Sequence, residues 1–299
     1  MFLITQIIGL AVVNSYIPNI EQIEINGELV NITKNPLPYN LDPPKELDKS
    51  SSLISIVIAF VIALVFIILL TKLKAIFFIR FWFFFVVSLV IGITLNSLFS
   101  YLSLPYPSIL ALVIGVPLAI WKVFKRNVIV HNLTELIIYP GIAVVFVPLL
   151  NIWTVIILLI LISIYDIWAV WHSGFMQKMA NFQIKELGIF GGFFVPYLNK
   201  KQRALVKEAK MKLKQGKKIK ETKMKINLAI LGGGDVVFPI ITAGVILRSI
   251  GLLPAFVVVI GATLSLLLLF FYSQKGKFYP AMPFITAGLL LGIVVAYLI

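Results

Sequence analysis

The feature that most constrains this chain is a series of apolar runs, typically about 17 to 22 residues long, each enough to cross roughly 30 Å of hydrocarbon as a helix. Nine are legible, at residues 1–17, 53–71, 81–99, 108–121, 128–149, 152–172, 227–247, 254–272 and 279–299. They are rich in Leu, Ile, Val and Phe, and far longer than the tilted strands of a membrane barrel. In lipid every backbone polar group must find its partner inside the segment, so only the helix suits such runs. The expected fold class is an all-α polytopic membrane protein, a bundle of about nine transmembrane helices. With 60% hydrophobic and 13% charged residues and a mean hydropathy of +1.03, little of the chain is left for a soluble domain. The fourth run is short and the fifth contains Pro140 and Pro148, so tilting or kinking is expected there.

Orientation follows from charge. With the first residue inside, the outer connections and helix ends carry only Lys34, Lys45, Lys49 and Arg248 of the 26 Lys and Arg residues. The others fall inside, among them Lys72, Lys74, Arg80, Lys122, Lys125, Arg126, Lys275 and Lys277. Basic residues concentrate on the cytosolic side, which predicts a cytosolic N-terminus and an outer C-terminus. The first run lacks a basic leading region and a small-x-small cleavage site, so a retained span is expected rather than a signal peptide. The chain then divides into a six-helix part at 1–172, a basic cytosolic loop at 173–226 and a three-helix part at 227–299. The outer loop at 18–52, with six acidic residues and five prolines, reads as irregular, and its Asn31-Ile32-Thr33 is a glycosylation sequon.

Within the cytosolic loop, residues 201–225 are helix-prone and intensely basic. Beside a membrane, such a run is expected to contact anionic headgroups, and nucleic acid is not an expected partner. The stretch LGIFGGFFVPYL, residues 187–198, is too short and Gly-broken to span, and is expected to lie in the interface or fold back over a cavity.

Three acids remain inside spanning runs: Glu135, Asp166 and Asp235. A carboxylate at membrane depth is costly, so each is a candidate for function. Asp166 lies about 9 Å from the inner end of the sixth run and Asp235 about 12 Å from that of the seventh, so the two can meet at one level. If they face each other, both cannot easily ionise and the pair shares one proton. Such a pair can activate a water with one carboxylate and polarise a peptide carbonyl with the other acid. For Glu135, His131 one turn earlier is the expected partner. The chain has no cysteine and two histidines, His131 and His172, neither in an HExxH arrangement, so no metal or cofactor is expected. His172 beside Ser173 does not supply the separated base and nucleophile of a serine mechanism.

Asp235 sits in LGGGDVVFP, where Gly232 and Gly234 let a backbone or substrate approach the acid. The Gly288 and Gly292 spacing, by contrast, is expected only to pack helices. Tyr165-Asp166, Gly232-Gly233-Gly234-Asp235 and Pro280-Ala281-Met282 together resemble the YD, GxGD and PAL motifs of the presenilin and signal peptide peptidase family, in order and in helix placement. The resemblance covers essentially the whole chain. It implies an intramembrane aspartyl protease, one catalytic domain with a wet cavity open to the cytosol. Asp166 and Asp235 would be the catalytic pair, with Tyr165, Gly232, Gly233, Gly234, Pro280, Ala281 and Met282 positioning substrate. The orientation read from charge matches that of presenilins and is opposite to that of signal peptide peptidases, so the expected substrates are single transmembrane helices of type I orientation. The 173–226 loop corresponds to the region where presenilins are cleaved on maturation.

Two departures stand out. Met282 replaces a leucine, a size-conserving change, and Gly233 stands where leucine is usual. The latter moves the motif towards the prepilin peptidases, which nevertheless follow the aspartate with a lysine two residues on, where this chain has Val237. In FYPAMPF, unpaired backbone from Pro280 to Pro283 offers an edge to which an unwound substrate can add as a strand; a plain kink at a helix start is the simpler alternative. A proton-coupled transporter or channel using Glu135, Asp166 and Asp235 as a relay is the rival reading, though no inverted repeat is evident. Association into an oligomer is compatible with either.

Overall fold

The computed structural model describes residues 1–17, 19–25, 28–34, 37–40, 49–73, 75–125, 127–171, 183, 188, 190–197, 227–273 and 279–299. Among these are nine α-helices: α1 (Phe2–Ser15), α2 (Lys49–Lys72), α3 (Ile76–Tyr101), α4 (Pro107–Phe124), α5 (Val128–Phe146), α6 (Ile152–Trp171), α7 (Gly233–Ser249), α8 (Leu252–Tyr272) and α9 (Met282–Ala296). Five spans, at 76–101, 107–124, 128–149, 152–171 and 252–272, are long and apolar enough to cross a bilayer. Large apolar side chains such as Trp82, Ile109, Leu268 and Phe271 point outward, as expected where lipid is the solvent. The chain is an integral, multi-pass membrane protein.

α1 is woven into the bundle. Its Leu10, Val12 and Val13 are buried, it packs on α5 and α7, and Gly9 lets it close onto Ile240. α3 pairs with α4, α8 with α9, and α6 lies against both α7 and α9. The α8 and α9 backbones approach so closely at Gly261, Gly288 and Gly292 that a Cβ on Gly292 would stand 2.9 Å from the Cα of Val258. Close approach through small residues is how helices associate where lipid is as apolar as they are. The GxxxG-type pair thus serves packing.

Prolines divide α5 unevenly. Pro140 is accommodated within the helix, whereas Pro148 falls in a 3-10 turn at Val147–Leu149 that ends it. Arg248, at the end of α7, reaches the carbonyls of Val147, Pro148 and Leu150 at 3.2 to 3.4 Å and satisfies that turn. The fourth helix, expected to be short, extends over 18 residues because Pro107 starts it and Lys122 and Val123 continue it past the apolar run.

Two short hairpins depart from the all-helical expectation. β1 (Asn19–Ile25) and β2 (Glu28–Lys34) pair antiparallel, so part of the outer loop read as irregular is regular. Ile23 and Ile25 flank Glu24, and Val30 and Ile32 flank Asn31, the period of a strand. β3 (Gly192–Tyr197) and β4 (Asn227–Gly232) form the second antiparallel pair. The seventh apolar run therefore starts as a strand and turns helical only at Gly233. Four apolar residues, Leu228 to Leu231, ahead of three glycines are ambiguous by hydropathy, and the glycines disfavour extending the helix backwards through them. The basic stretch at 201–225, together with His172 and Ser173, lies outside the described residues.

Candidate active site

Two helix N-termini converge on the two candidate aspartates. α9 begins at Met282, with Pro283 in its first turn, and its leading N–H groups have no partner within the helix. One of them finds Asp166 on α6: the Met282 amide donates to Oδ2 at 3.1 Å. Ser163, one turn before Asp166, bonds Thr286 on α9 at 2.8 Å and fixes the same pair of helices. Carboxylates are favoured at such a positive helix end.

Asp235 occupies the first turn of α7, behind the N-cap Gly232. Its carboxyl turns back towards the backbone of Gly232, as the acid of a capping box does. Gly232 is required by proximity, since a Cβ there would stand 3.0 Å from Asp235 Oδ2. Gly233 is constrained from the other side. Its N–H donates to Gly191 O at 3.1 Å, and a Cβ on it would lie 3.1 Å from Tyr139 Oη and 3.2 Å from Gly191 O. That contact accounts for glycine where leucine was the expected residue. Gly234 has ordinary space, with the Phe238 ring 3.6 Å from its would-be Cβ.

Asp166 and Asp235 are both buried, at 6% and 8% exposure. They sit on packed neighbours, α6 and α7, within electrostatic reach of each other. Pro280, Ala281 and Met282 are also buried and line the approach to Asp166. Tyr165 is half-buried beside its aspartate, its ring 6.4 Å from that of Trp168. The structure thus gathers the three motifs expected to cooperate, with the contact to Asp166 made by backbone rather than by the Met282 side chain.

The third acid stands apart. Glu135 accepts from Lys122 Nζ at 2.6 Å, and His131 Nε2 lies 3.5 Å from the same oxygen. The expected histidine partner is present, but the shorter contact is to Lys122, a residue read from sequence as a free inner charge and in fact buried on α4. A buried acid beside a buried lysine has a local partner for its charge, so the depth of Glu135 is accounted for without a relay. Sequence reasoning also passed over Gln6 of α1, whose Nε2 donates to Val236 O at 3.0 Å, and Tyr139, whose buried hydroxyl faces Gly233. A polar residue in the middle of an apolar run was the available signal for both.

Among described residues no group of His, Cys, Asp and Glu is arranged to hold a metal ion. Comparison with known proteins agrees with the geometry. The family model for signal-peptide peptidase, presenilin aspartyl protease matches residues 31–299. Two solved structures of a presenilin family intramembrane aspartate protease, in C222 and P2 space groups, superpose on 100% of this chain. They do so over 96% and 95% of their own lengths, with TM-scores of 0.60 and 0.59 at 19% and 18% identity, which establishes a shared fold. No match is found among curated protein sequences. On the family match over most of its length, this chain belongs to the signal-peptide peptidase, presenilin aspartyl protease family.

Proposed function

We propose that Asp166 and Asp235 are the catalytic pair of an intramembrane endopeptidase that hydrolyses peptide bonds within the transmembrane helices of other membrane proteins. The observation that carries this reading is the placement of two buried carboxyl groups on the packed helices α6 and α7, one held by the N-terminus of α9 and the other within the first turn of α7. One carboxylate takes a proton from a water held between the pair, and the hydroxide attacks the scissile carbonyl, which the protonated partner polarises. The proton taken from water then passes to the departing amine as the C–N bond breaks, leaving a new carboxyl and a new amino terminus. The acid and base roles belong to the pair and exchange within each turnover.

The remaining site residues serve substrate. Gly234 puts no side chain beside the acid, and the buried Pro280-Ala281-Met282 segment flanks Asp166 where a locally unwound substrate would pass. A substrate helix must unwind before water can reach its backbone, and an extended segment can then recover hydrogen bonds by lying along unpaired main chain. The distribution of basic residues supports a cytosolic N-terminus and 173–226 loop and an outer C-terminus, with that loop on anionic headgroups. Substrates in this frame are single-spanning proteins of type I orientation. Mass analysis of peptides released from a panel of such substrates tests the reading. Wild type should yield fragments cut within the apolar segment that Asp235→Ala does not yield; identical fragment sets from the two would refute it.

A further inference from the structure

We propose that His131 and Asn132 of α5 are positioning residues for Asp235, acting through strand β3; this rests on the proposed catalytic role of Asp235. A two-stranded hairpin is marginal on its own, so something must hold β3 and β4 where they meet α7. α5 does so with two consecutive side chains. Asn132 Nδ2 donates to Phe194 O at 2.8 Å while the Phe194 N–H donates to Asn132 Oδ1 at 3.0 Å. The amide therefore pairs with the strand as a further strand residue would, and closes the β3 edge at that point. His131 Nε2 meets Gly192 O at 2.7 Å, with its ring 4.8 Å from that of Phe194.

The histidine is itself held from behind. Lys122 Nζ, donating to Glu135, lies 3.3 Å from His131 Nδ1. An ammonium can only donate, so Nδ1 accepts and the proton sits on Nε2, where it points at Gly192 O. The Lys122–Glu135 pair, 2% exposed on both side chains, thus fixes the tautomer and the ring orientation. From Gly192 the path to the acid is short. Gly192 is paired with Gly232 in the sheet, and Gly191 O takes the N–H of Gly233, the first residue of α7. Gly232 in turn lies against the Asp235 carboxyl, whose Oδ2 would stand 3.0 Å from a Cβ placed on it. Tyr139, two turns after His131 on the same face of α5, backs Phe193 with its ring at 5.5 Å. Every link is backbone or a short polar contact, so a shift of β3 becomes a shift of Asp235 relative to Asp166.

The test is steady-state cleavage of a labelled transmembrane peptide by purified full-length protein in liposomes, normalised to folded protein. Asp235→Asn is run in parallel. Asn132→Leu, which keeps volume but removes both bonds, should lower kcat about tenfold or more with KM within about twofold, since small misplacements of reacting groups cost rate rather than affinity. Asn132→Asp keeps the acceptor for the Phe194 N–H and should fall between Leu and wild type. His131→Leu should lower kcat similarly, and His131→Gln, which retains a donor towards Gly192 O, should recover most of that loss. Amide exchange over 190–197 should quicken in the two leucine variants. Unchanged kcat per folded molecule in both leucine variants, or no recovery in His131→Gln, overturns the positioning role. Wild-type cleavage that persists in Asp235→Asn would sink the underlying catalytic reading instead.

Discussion

The Met282 backbone N–H donates to Asp166 Oδ2 across 3.1 Å, joining the start of α9 to the last turns of α6. Because the donor is main chain, the residue type at 282 matters through size and helix compatibility rather than through chemistry. Met282→Leu, an apolar swap of nearly equal volume, should leave kcat within about twofold and thermal stability within about 1.5 kcal/mol. Cleavage rates and a melting curve in detergent check this; a large loss of kcat would mean that the thioether itself takes part.

Gly233 should not tolerate a side chain in its present surroundings. A Cβ would press on Tyr139 Oη and Gly191 O, so Gly233→Leu is expected to lower kcat/KM by about tenfold or more through displacement of the α7 first turn. Adding Tyr139→Phe removes one of the two obstructing oxygens and should return part of the activity. The double variant performing no better than Gly233→Leu would show that the clash with Gly191 dominates.

The α8–α9 contact is a stability element. Gly292→Val would drive two methyl groups into the Val258 backbone and should destabilise the fold by about 1–3 kcal/mol, the usual range for overpacking. Thermal unfolding measures it, and a wild-type midpoint would contradict the close approach.

Outside the membrane-spanning segments, Tyr39 offers a pH test. Its hydroxyl donates to Ser108 O at 3.1 Å, and burial raises its pKa from 10.0 to about 12. The folded state thus prefers the neutral phenol. The stability this gives is complete below pH 10 and is lost as pH rises towards 12, because the unfolded chain ionises first. Wild type should lose stability over that interval more steeply than Tyr39→Phe; parallel curves would show that the phenol is not held neutral.

Much of this was legible in the sequence because the membrane imposes strict rules. The helix count, the integral-membrane class and the exceptional acids follow from the cost of polar backbone and charge in lipid, and residues such as Asp166 and Asp235 stand out against apolar runs. What escaped were features decided by partners distant in the chain. Residues 227–232 are apolar enough for a helix, and only Gly192–Tyr197, more than thirty residues earlier, makes them a strand. Lys122 reads as a loop charge until Glu135 faces it across the α4–α5 contact. Glycine at 233 is a departure from the family pattern until Tyr139 and Gly191 are found occupying the space. The amide that holds Asp166 is invisible to sequence altogether, since every residue but proline carries one.

In the proposed mechanism Asp166 and Asp235 act together on one water. This is tested most directly by measuring the pH dependence of cleavage of a single-spanning peptide by purified protein in liposomes, for wild type and for Asp166→Asn and Asp235→Asn. A pair that must be half-protonated gives a rate that rises and then falls with pH, since both acids are neutral at the low end and both ionised at the high end. Wild type should follow that bell, and each asparagine variant should be inactive at every pH. Substantial cleavage by either variant, or a wild-type rate that climbs without falling, would contradict the two-aspartate mechanism.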